Sequence, residues 1–291
     1  MIISIVIPIH NRLEITKIGL ENLYLAINYY KTNYVDKLKI SVVVVDDGST
    51  DGSYEWINKN YKDVKLLKGD GNLWWSGSIN TALDWFIEQK SYTDYILLWN
   101  NDVKPDRNYF KYLEECIVSL PTNSIIGSTI YVLTTKRIWS YGGYFGRITG
   151  LYGMYRKELK SVKNYAEVDW LTGMGTLVPF DLIKKHNLRW DDRNFPQYHG
   201  DADFTLRAKK NGIRILVNNK LIIYNNVEVT GITRIKSIRD LILFLTSNRS
   251  NYSIKKNIKF YSKHGVVPFA FIGLLIKYSI FILKTIKVRC V

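Results

Sequence analysis

Cysteine is scarce in this 291-residue chain: there are two, Cys116 and Cys290, and no close Cys or Cys/His pair. That excludes a disulfide framework and a thiolate zinc site, and it makes a reducing cytoplasm the default compartment. Six prolines and 19 glycines are too few for collagen or Pro/Gly low complexity, and no heptad persists long enough for a coiled coil. The opening MIISIVIPIHNR has no basic n-region and no small-residue cleavage site, so it reads as a first strand and not as a signal peptide. At 46% hydrophobic and 23% charged residues, disorder is excluded and a large core in one or two domains is expected.

Acidic residues are nearly absent from the last sixty positions. The chain carries +15 overall. Residues 232–291 hold twelve Lys/Arg against one acid, Asp240, a net +11, which leaves +4 for residues 1–231. Within this basic stretch, residues 265–283 (GVVPFAFIGLLIKYSIFIL) are apolar for 19 positions, broken by Pro268 and Lys277. The length just reaches a membrane span, but a mid-segment lysine is expensive in lipid. Lys277, Lys284 and Lys287 fall within one helical arc, so an amphipathic helix on an anionic membrane surface is expected. A true span, or a helix packed on the domain or on a partner subunit, are the alternatives. Nucleic acid fits poorly, because the basic residues interleave with Ile, Leu and Phe and no binding motif accompanies them.

Residues 1–110 alternate strand and helix patterns. Strands are expected at 2–8, 39–45, 64–67 and 94–99, and helices at 13–31, 51–61 and 76–90. Continuous β-branched runs mark strands buried on both faces, so a parallel, doubly wound α/β sheet follows. Residues 121–200 are less regular. Beyond 170–179 the pattern gives helices at 180–187 and 204–211 and strands at 213–217 and 221–224. No linker interrupts 1–225, so one catalytic domain over 1–230 is expected, with an appended helical tail at 231–291.

Ligands in such sheets sit beyond the carboxyl ends of the strands. The polar clusters fall there: His10-Asn11-Arg12, Asp46-Asp47 and Asn100-Asn101-Asp102. In VVVVDDGSTDG (42–52), a strand-end carboxylate can accept the imide N–H of a pyrimidine base, or it can cap an ordinary Asx turn. In LLWNNDV (97–103), Asp102 can ligate a divalent cation bridging two phosphates, or the segment is a plain turn. Trp74 and Trp75 either stack on a sugar or base or fill core.

Taken together, VIPIHNR (6–12), VVDDGSTDG (44–52), GDGNLWWSGSIN (69–80), LWNNDV (98–103), WLTGMGTLVPFDLI (170–183) and FPQYHGDADFTLRAKKNG (195–212) resemble glycosyltransferase family 2, which has the GT-A nucleotide-sugar fold. The likeness spans roughly 1–225. GNLWWSG and YHGDADFTLRA are most similar to rhamnosyltransferase-like members that build bacterial surface polysaccharides such as O-antigen. The resemblance implies an inverting, Mg2+- or Mn2+-dependent transferase. Its donor would be a nucleotide-sugar, dTDP-rhamnose first and a UDP-hexose second. Its acceptor would be a lipid-linked or growing polysaccharide at the cytoplasmic face of the membrane, reached as a peripheral protein, with a homo-oligomer through the C-terminal helices as a further expectation.

Carried onto this sequence, the resemblance implies that Asp46 recognises the base and that Asp47 lies near the ribose or is structural. Pro8, Asn11, Asn72, Trp75, Asn80 and Asn101 are implied on the donor side, and Asp102 as the metal ligand. Asp201 is implied as the base, with Asp203 as runner-up, and Trp170, Thr172, Gly173, His199 and Arg207 on the acceptor side. Two positions depart from the family pattern. Asn100 stands where the metal motif has its first Asp, and Gly200 where a Glu precedes the base. Rival readings are a catalytically silent nucleotide- or glycan-binding module and a nucleotidyltransferase. Both Asp102 and Asp201 are present, against the first, and HNRLEIT is no phosphate loop, against the second.

Overall fold

The computed structural model describes residues 1–35, 37–89, 92–226 and 237–289, without the side chains of Ile238 and of 283–289. The first half runs β1 (Ile2–Ile9), α1 (Leu13–Asn33), β2 (Lys39–Asp46), α2 (Ser53–Asn60), β3 (Lys65–Lys68), α3 (Trp74–Glu88), β4 (Tyr95–Leu98), β5 (Val103–Pro105) and α4 (Tyr109–Val118). The second half adds β6 (Ser124–Val132), β7 (Ile138–Ser140), β8 (Gly143–Phe145), β9 (Tyr152–Met154), β10 (Tyr165–Glu167), β11 (Thr176–Pro179), α5 (Phe180–Lys185), α6 (Gly200–Lys210) and β12 (Arg214–Asn225). Three helices close the chain: α7 (Ile238–Thr246), α8 (Ile254–His264) and α9 (Ala270–Arg289).

The main sheet has the order β10-β12-β6-β11-β4-β1-β2-β3. β3, β2, β1 and β4 are mutually parallel, as their βαβ pattern requires. β11 enters antiparallel between β4 and β6 and joins the two halves. Ile3, Ile5 and Ile7 of β1 face α1 and α4, packing with Leu20, Leu23, Ile27 and Leu113. Val6 faces the opposite layer with Ile79, Leu83 and Phe86 of α3. Apolar residues on both faces of one strand are what a covered parallel sheet needs.

Three differences from the sequence reading have local causes. The expected strands at 213–217 and 221–224 are one strand, β12, with a bulge between Asn218 and Ile222 where the polar Asn-Asn-Lys sits. β6 emerges from the irregular middle region, although Gly127 and three hydroxyl residues blur its apolar run. α6 begins at Gly200 instead of 204, after His199 in a left-handed conformation with no side-chain cap.

The C-terminal helices pack on the body. Phe260 and Tyr261 of α8 and Ala270 and Leu274 of α9 form one core cluster with Phe145, Trp170, Phe195, Ala202 and Leu206. Composition sets residues 231–291 apart, but packing does not. Lys277 also leaves the expected basic arc. Its Nζ turns inward and donates to Asn251 O (3.0 Å) and Asn257 Oδ1 (2.6 Å), and burial lowers it to about 7. Lys284 and Lys287 have side chains outside the described set. No helix among the described residues is long and apolar enough to cross a membrane.

Candidate active site

A cleft of about 460 Å³ opens where β1, β2 and β4 end. Pro8 lines it from the end of β1, His10 and Arg12 from the loop that follows, Asn100, Asn101 and Asp102 from the loop after β4, and Trp74, Trp75 and Ser78 from the start of α3. Gln197, Tyr198 and Arg249 complete the wall, and none of these three was anticipated from the sequence. Gln197 and Tyr198 stand just ahead of the Asp201 motif, where proximity could have flagged them.

Asp47 is a buried anchor. Its Oδ1 accepts the backbone N–H groups of Gly71 (2.8 Å) and Leu73 (3.1 Å), and its Oδ2 that of Trp74 (2.8 Å). Three amide donors satisfy the charge and fix the 71–74 turn, a structural role, and Asp47 also lines the cleft. Asp46 differs. Its Oδ1 accepts from Ser49 N (2.8 Å), while its buried Oδ2 has no protein partner. A buried carboxylate oxygen left without a donor is costly unless a ligand supplies one.

Several expected donor contacts are spent inside the protein. Asn11 does not line the cleft: its Oδ1 accepts from Thr50 N (2.9 Å) and ties two loops together. Asn80 clasps the segment after α5, donating to Trp190 O (2.9 Å) and Asp192 Oδ2 (3.0 Å) and accepting from Trp190 N (3.0 Å). Asn72 is exposed beyond the lining, its N–H bonded to Asp70. Pro8, Trp75 and Asn101 do line it, Asn101 with its amide held by Thr16 Oγ1 at 2.8 Å.

Asn100 has a job of its own: its Oδ1 accepts the indole N–H of Trp75 at 3.1 Å. That sets the Trp75 plane and accounts for a neutral residue where the family pattern has Asp. Asp102 is thus the sole carboxylate of its triplet. Its Oδ2 lies 3.5 Å from Arg12 Nη1, and burial raises its pKa while Arg12 opposes the rise. No cluster of three His, Cys, Asp or Glu exists among the described residues. The donor set therefore fits a hard cation held by one carboxylate, with phosphate oxygens and water completing the shell, as Mg2+ commonly is.

Asp201 and Asp203 sit on the first turn of α6 with opposite environments. Asp201 Oδ2 accepts from Gly173 N (2.7 Å), while its Oδ1 is buried with no partner. Burial, only partly offset by the Gly173 N–H, pushes this carboxyl up to about 7. Asp203 is fully buried and has three donors. Oδ1 meets Lys263 Nζ and His264 Nε2, both at 2.8 Å, and Oδ2 meets Arg207 Nε at 2.8 Å. The His264 hydrogen bond and the neighbouring Arg207 and Lys263 charges outweigh burial and draw it down to about 2.

Gly173 couples Asp201 to the cleft. Its backbone N–H holds the carboxylate, and a Cβ there would stand 2.2 Å from the Trp75 ring. Gly200 is equally constrained, since a Cβ would come within 2.3 Å of Ser76 Oγ. α3 and α6 meet too closely there for the Glu of the family pattern.

The remaining acceptor-side expectations fall in packing. The Trp170 ring stacks on Tyr152 at 5.1 Å, and His199 on Phe260 at 4.6 Å, where burial and the nearby Lys277 and Lys256 charges drive the imidazole far below its usual pKa. Arg207 is held by Asp203 and by Arg189 O (2.6 Å). Thr172 contributes its carbonyl to Thr176 Oγ1 at 2.6 Å.

Comparisons follow the same outline. The structure is similar to S. aureus TarS 1-349 in complex with UDP-GlcNAc (TM-score 0.53, 18% identity), over 77% of this chain and 58% of that one. GalNAc-T7 with UDP, GalNAc and Mn2+ matches with TM-score 0.57 and 13% identity, over 96% of this chain and 57% of that one. The mannosyltransferase PcManGT from Pyrobaculum calidifontis, in complex with GDP-Man and Mn2+, matches with TM-score 0.53 and 14% identity, over 97% and 80%. This chain thus spans about three fifths of the TarS 1-349 chains it resembles. At such identities these likenesses speak for the fold, which is GT-A. No curated protein matches by sequence. The model for "Glycosyl transferase family 2" matches residues 4–181, well over half of the sequence, and the chain belongs to that family.

Proposed function

We propose that this protein is an inverting glycosyltransferase that uses a nucleotide-activated sugar, dTDP-rhamnose before a UDP-hexose, and extends a lipid-linked or growing bacterial surface polysaccharide. One observation carries the reading. A carboxyl with one unpaired oxygen and a pKa near 7, Asp201, is held by the N–H of Gly173, which packs against Trp75, and Trp75 lines the cleft together with Asp102. A base poised near neutrality removes the acceptor hydroxyl proton as that oxygen attacks the anomeric carbon. The bond from that carbon to the donor phosphate breaks on the opposite face, which inverts its configuration. A divalent cation, Mg2+ or Mn2+, would sit on Asp102 and offset charge on the departing diphosphate. Asp46 Oδ2, buried one residue before the cleft-lining Asp47, is the unpaired acceptor that would take the imide N–H of a pyrimidine base. Asp203, held by three cationic or imidazole donors that keep it a weak base, serves to hold α6.

The exposed side of α9 carries Ile272, Leu275, Ile276, Ile280 and Ile282, and α7 adds Ile242 and Leu243. This apolar face supports peripheral attachment at the cytoplasmic membrane surface, where a lipid-linked acceptor would be met. Hydrolysis of a donor panel (dTDP-rhamnose, UDP-hexoses, UDP-GlcNAc, GDP-mannose) with and without Mn2+ tests the reading. Turnover of one dTDP- or UDP-sugar, lost in Asp201→Asn, is expected; no turnover or binding of any of them would overturn it.

A further inference from the structure

We propose that Arg249, in the loop between α7 and α8, is a diphosphate-binding residue of the donor site. The loop lies outside the family-matched segment, yet Arg249 lines the same cleft as Arg12 and Asp102. Its guanidinium lies over the Trp74 ring, 5.8 Å from the centroid. A guanidinium held over a ring at this distance keeps N–H groups that can fork onto phosphate oxygens. Among the described residues Arg249 forms no ion pair, whereas Arg12 already leans on Asp102.

Two further observations point to a built site. Trp74 has φ +57 and is held in that left-handed conformation by Asp47 through its N–H. A bulky residue in this region costs energy, and such strain gathers at ligand sites. The loop itself is fixed from behind by buried polar groups. Lys256 Nζ donates to Asn248 O (2.9 Å), Lys277 Nζ and Asn257 Nδ2 both donate to Asn251 O (3.0 Å), and Tyr278 OH donates to Tyr252 O (2.8 Å). Ser247 Oγ accepts the Arg249 N–H at 3.0 Å. Four donors from α8 and α9 thus clamp the carbonyls on either side of Arg249. Hydrogen bonds from the C-terminal helices fix a loop that presents one cation to the cleft.

The ligand class is a nucleoside diphosphate, as the leaving group of transfer and as the corresponding part of the donor. This rests on the proposed function, and the test separates the two. Binding of UDP and dTDP is measured by calorimetry against uridine and thymidine, for wild type, Arg249→Ala and Arg249→Lys. Arg249 is exposed, so neither variant threatens folding. Arg249→Ala should weaken diphosphate binding about tenfold, the scale of one charge-assisted contact, and leave nucleoside binding within twofold. Arg249→Lys should recover part of the loss, since it restores the charge but not the fork. Equal losses for diphosphate and nucleoside, or no loss, overturn the assignment. Absence of nucleotide binding in the wild type would instead strike the proposed function.

Discussion

Asp201 and Asp203 stand two residues apart, and neutralising each should move stability in opposite directions. A carboxyl held near 7 instead of 3.8 destabilises the fold once ionised by about 4 kcal/mol, at 1.36 kcal/mol per pH unit. The cost is absent below pH 3.8, grows as pH rises, and is complete above 7. Asp201→Asn removes it but adds an unpaired amide N–H costing about 1–3 kcal/mol. At pH 8 the variant should therefore be more stable by about 1–3 kcal/mol. Asp203, held near 2, adds about 2 kcal/mol of stability that is full above 3.8 and lost as pH falls toward 2. Asp203→Asn also strands Arg207, Lys263 and His264 against a neutral amide, so the loss at pH 8 should reach about 3–5 kcal/mol. For a chain of this size about 2 °C accompanies each kcal/mol. Thermal unfolding at pH 8 should show Asp201→Asn melting above wild type and Asp203→Asn well below it. Transfer measured well under both midpoints should fall by at least ~100-fold in Asp201→Asn and stay within an order of magnitude in Asp203→Asn. Wild-type kcat should rise as pH passes through about 7. A destabilised Asp201→Asn beside a folded but inactive Asp203→Asn would refute the assignment of roles.

Asp102→Ala should abolish transfer and weaken nucleoside diphosphate binding while the melting curve stays near wild type, and excess chelator should act the same way; full activity in chelator would remove the cation from the mechanism. Gly173→Ala should drive the Trp75 ring off its Asn100 bond, raising donor KM and quenching or shifting tryptophan emission, and an unchanged KM would count against Trp75 as a cleft wall. Full-length protein should sediment with anionic vesicles and be released only slightly by salt, because Lys256, Lys263 and Lys277 are engaged internally and the exposed side of α9 is mainly apolar. Complete release at high salt would show that charge alone holds it.

The first half of the fold was legible because its signals are local. β1, β2 and β4 are largely apolar runs that end at or close to Pro8, Asp46 and Asn100, and the cleft opens at those endings. Asp102, in the loop directly after β4, falls at the cleft for the same reason. What sequence could not convey was which polar groups the fold consumes. Asn11, Asn80, Trp170 and Arg207 are of the right chemical types near the right motifs, yet each is bound by a partner between 4 and 110 positions away. Arg249 was invisible for the converse reason. It sits in a basic stretch whose composition suggests a membrane anchor, and only packing of α8 and α9 turns it toward Trp74.

The shared cluster of Phe145, Trp170 and Phe195 with Phe260, Tyr261 and Leu274 bears on biosynthesis. A ribosome adds about 5–20 residues per second. The sheet can close once β12 has emerged, but the aromatic face beside α6 then waits for the next fifty or so residues, on the order of 3–10 s at that rate. During that interval the nascent protein presents a sticky, half-built surface of the kind trigger-type chaperones cover. Stalled chains ending before α8 should crosslink to such chaperones, and chains stalled after α9 has cleared the tunnel should not.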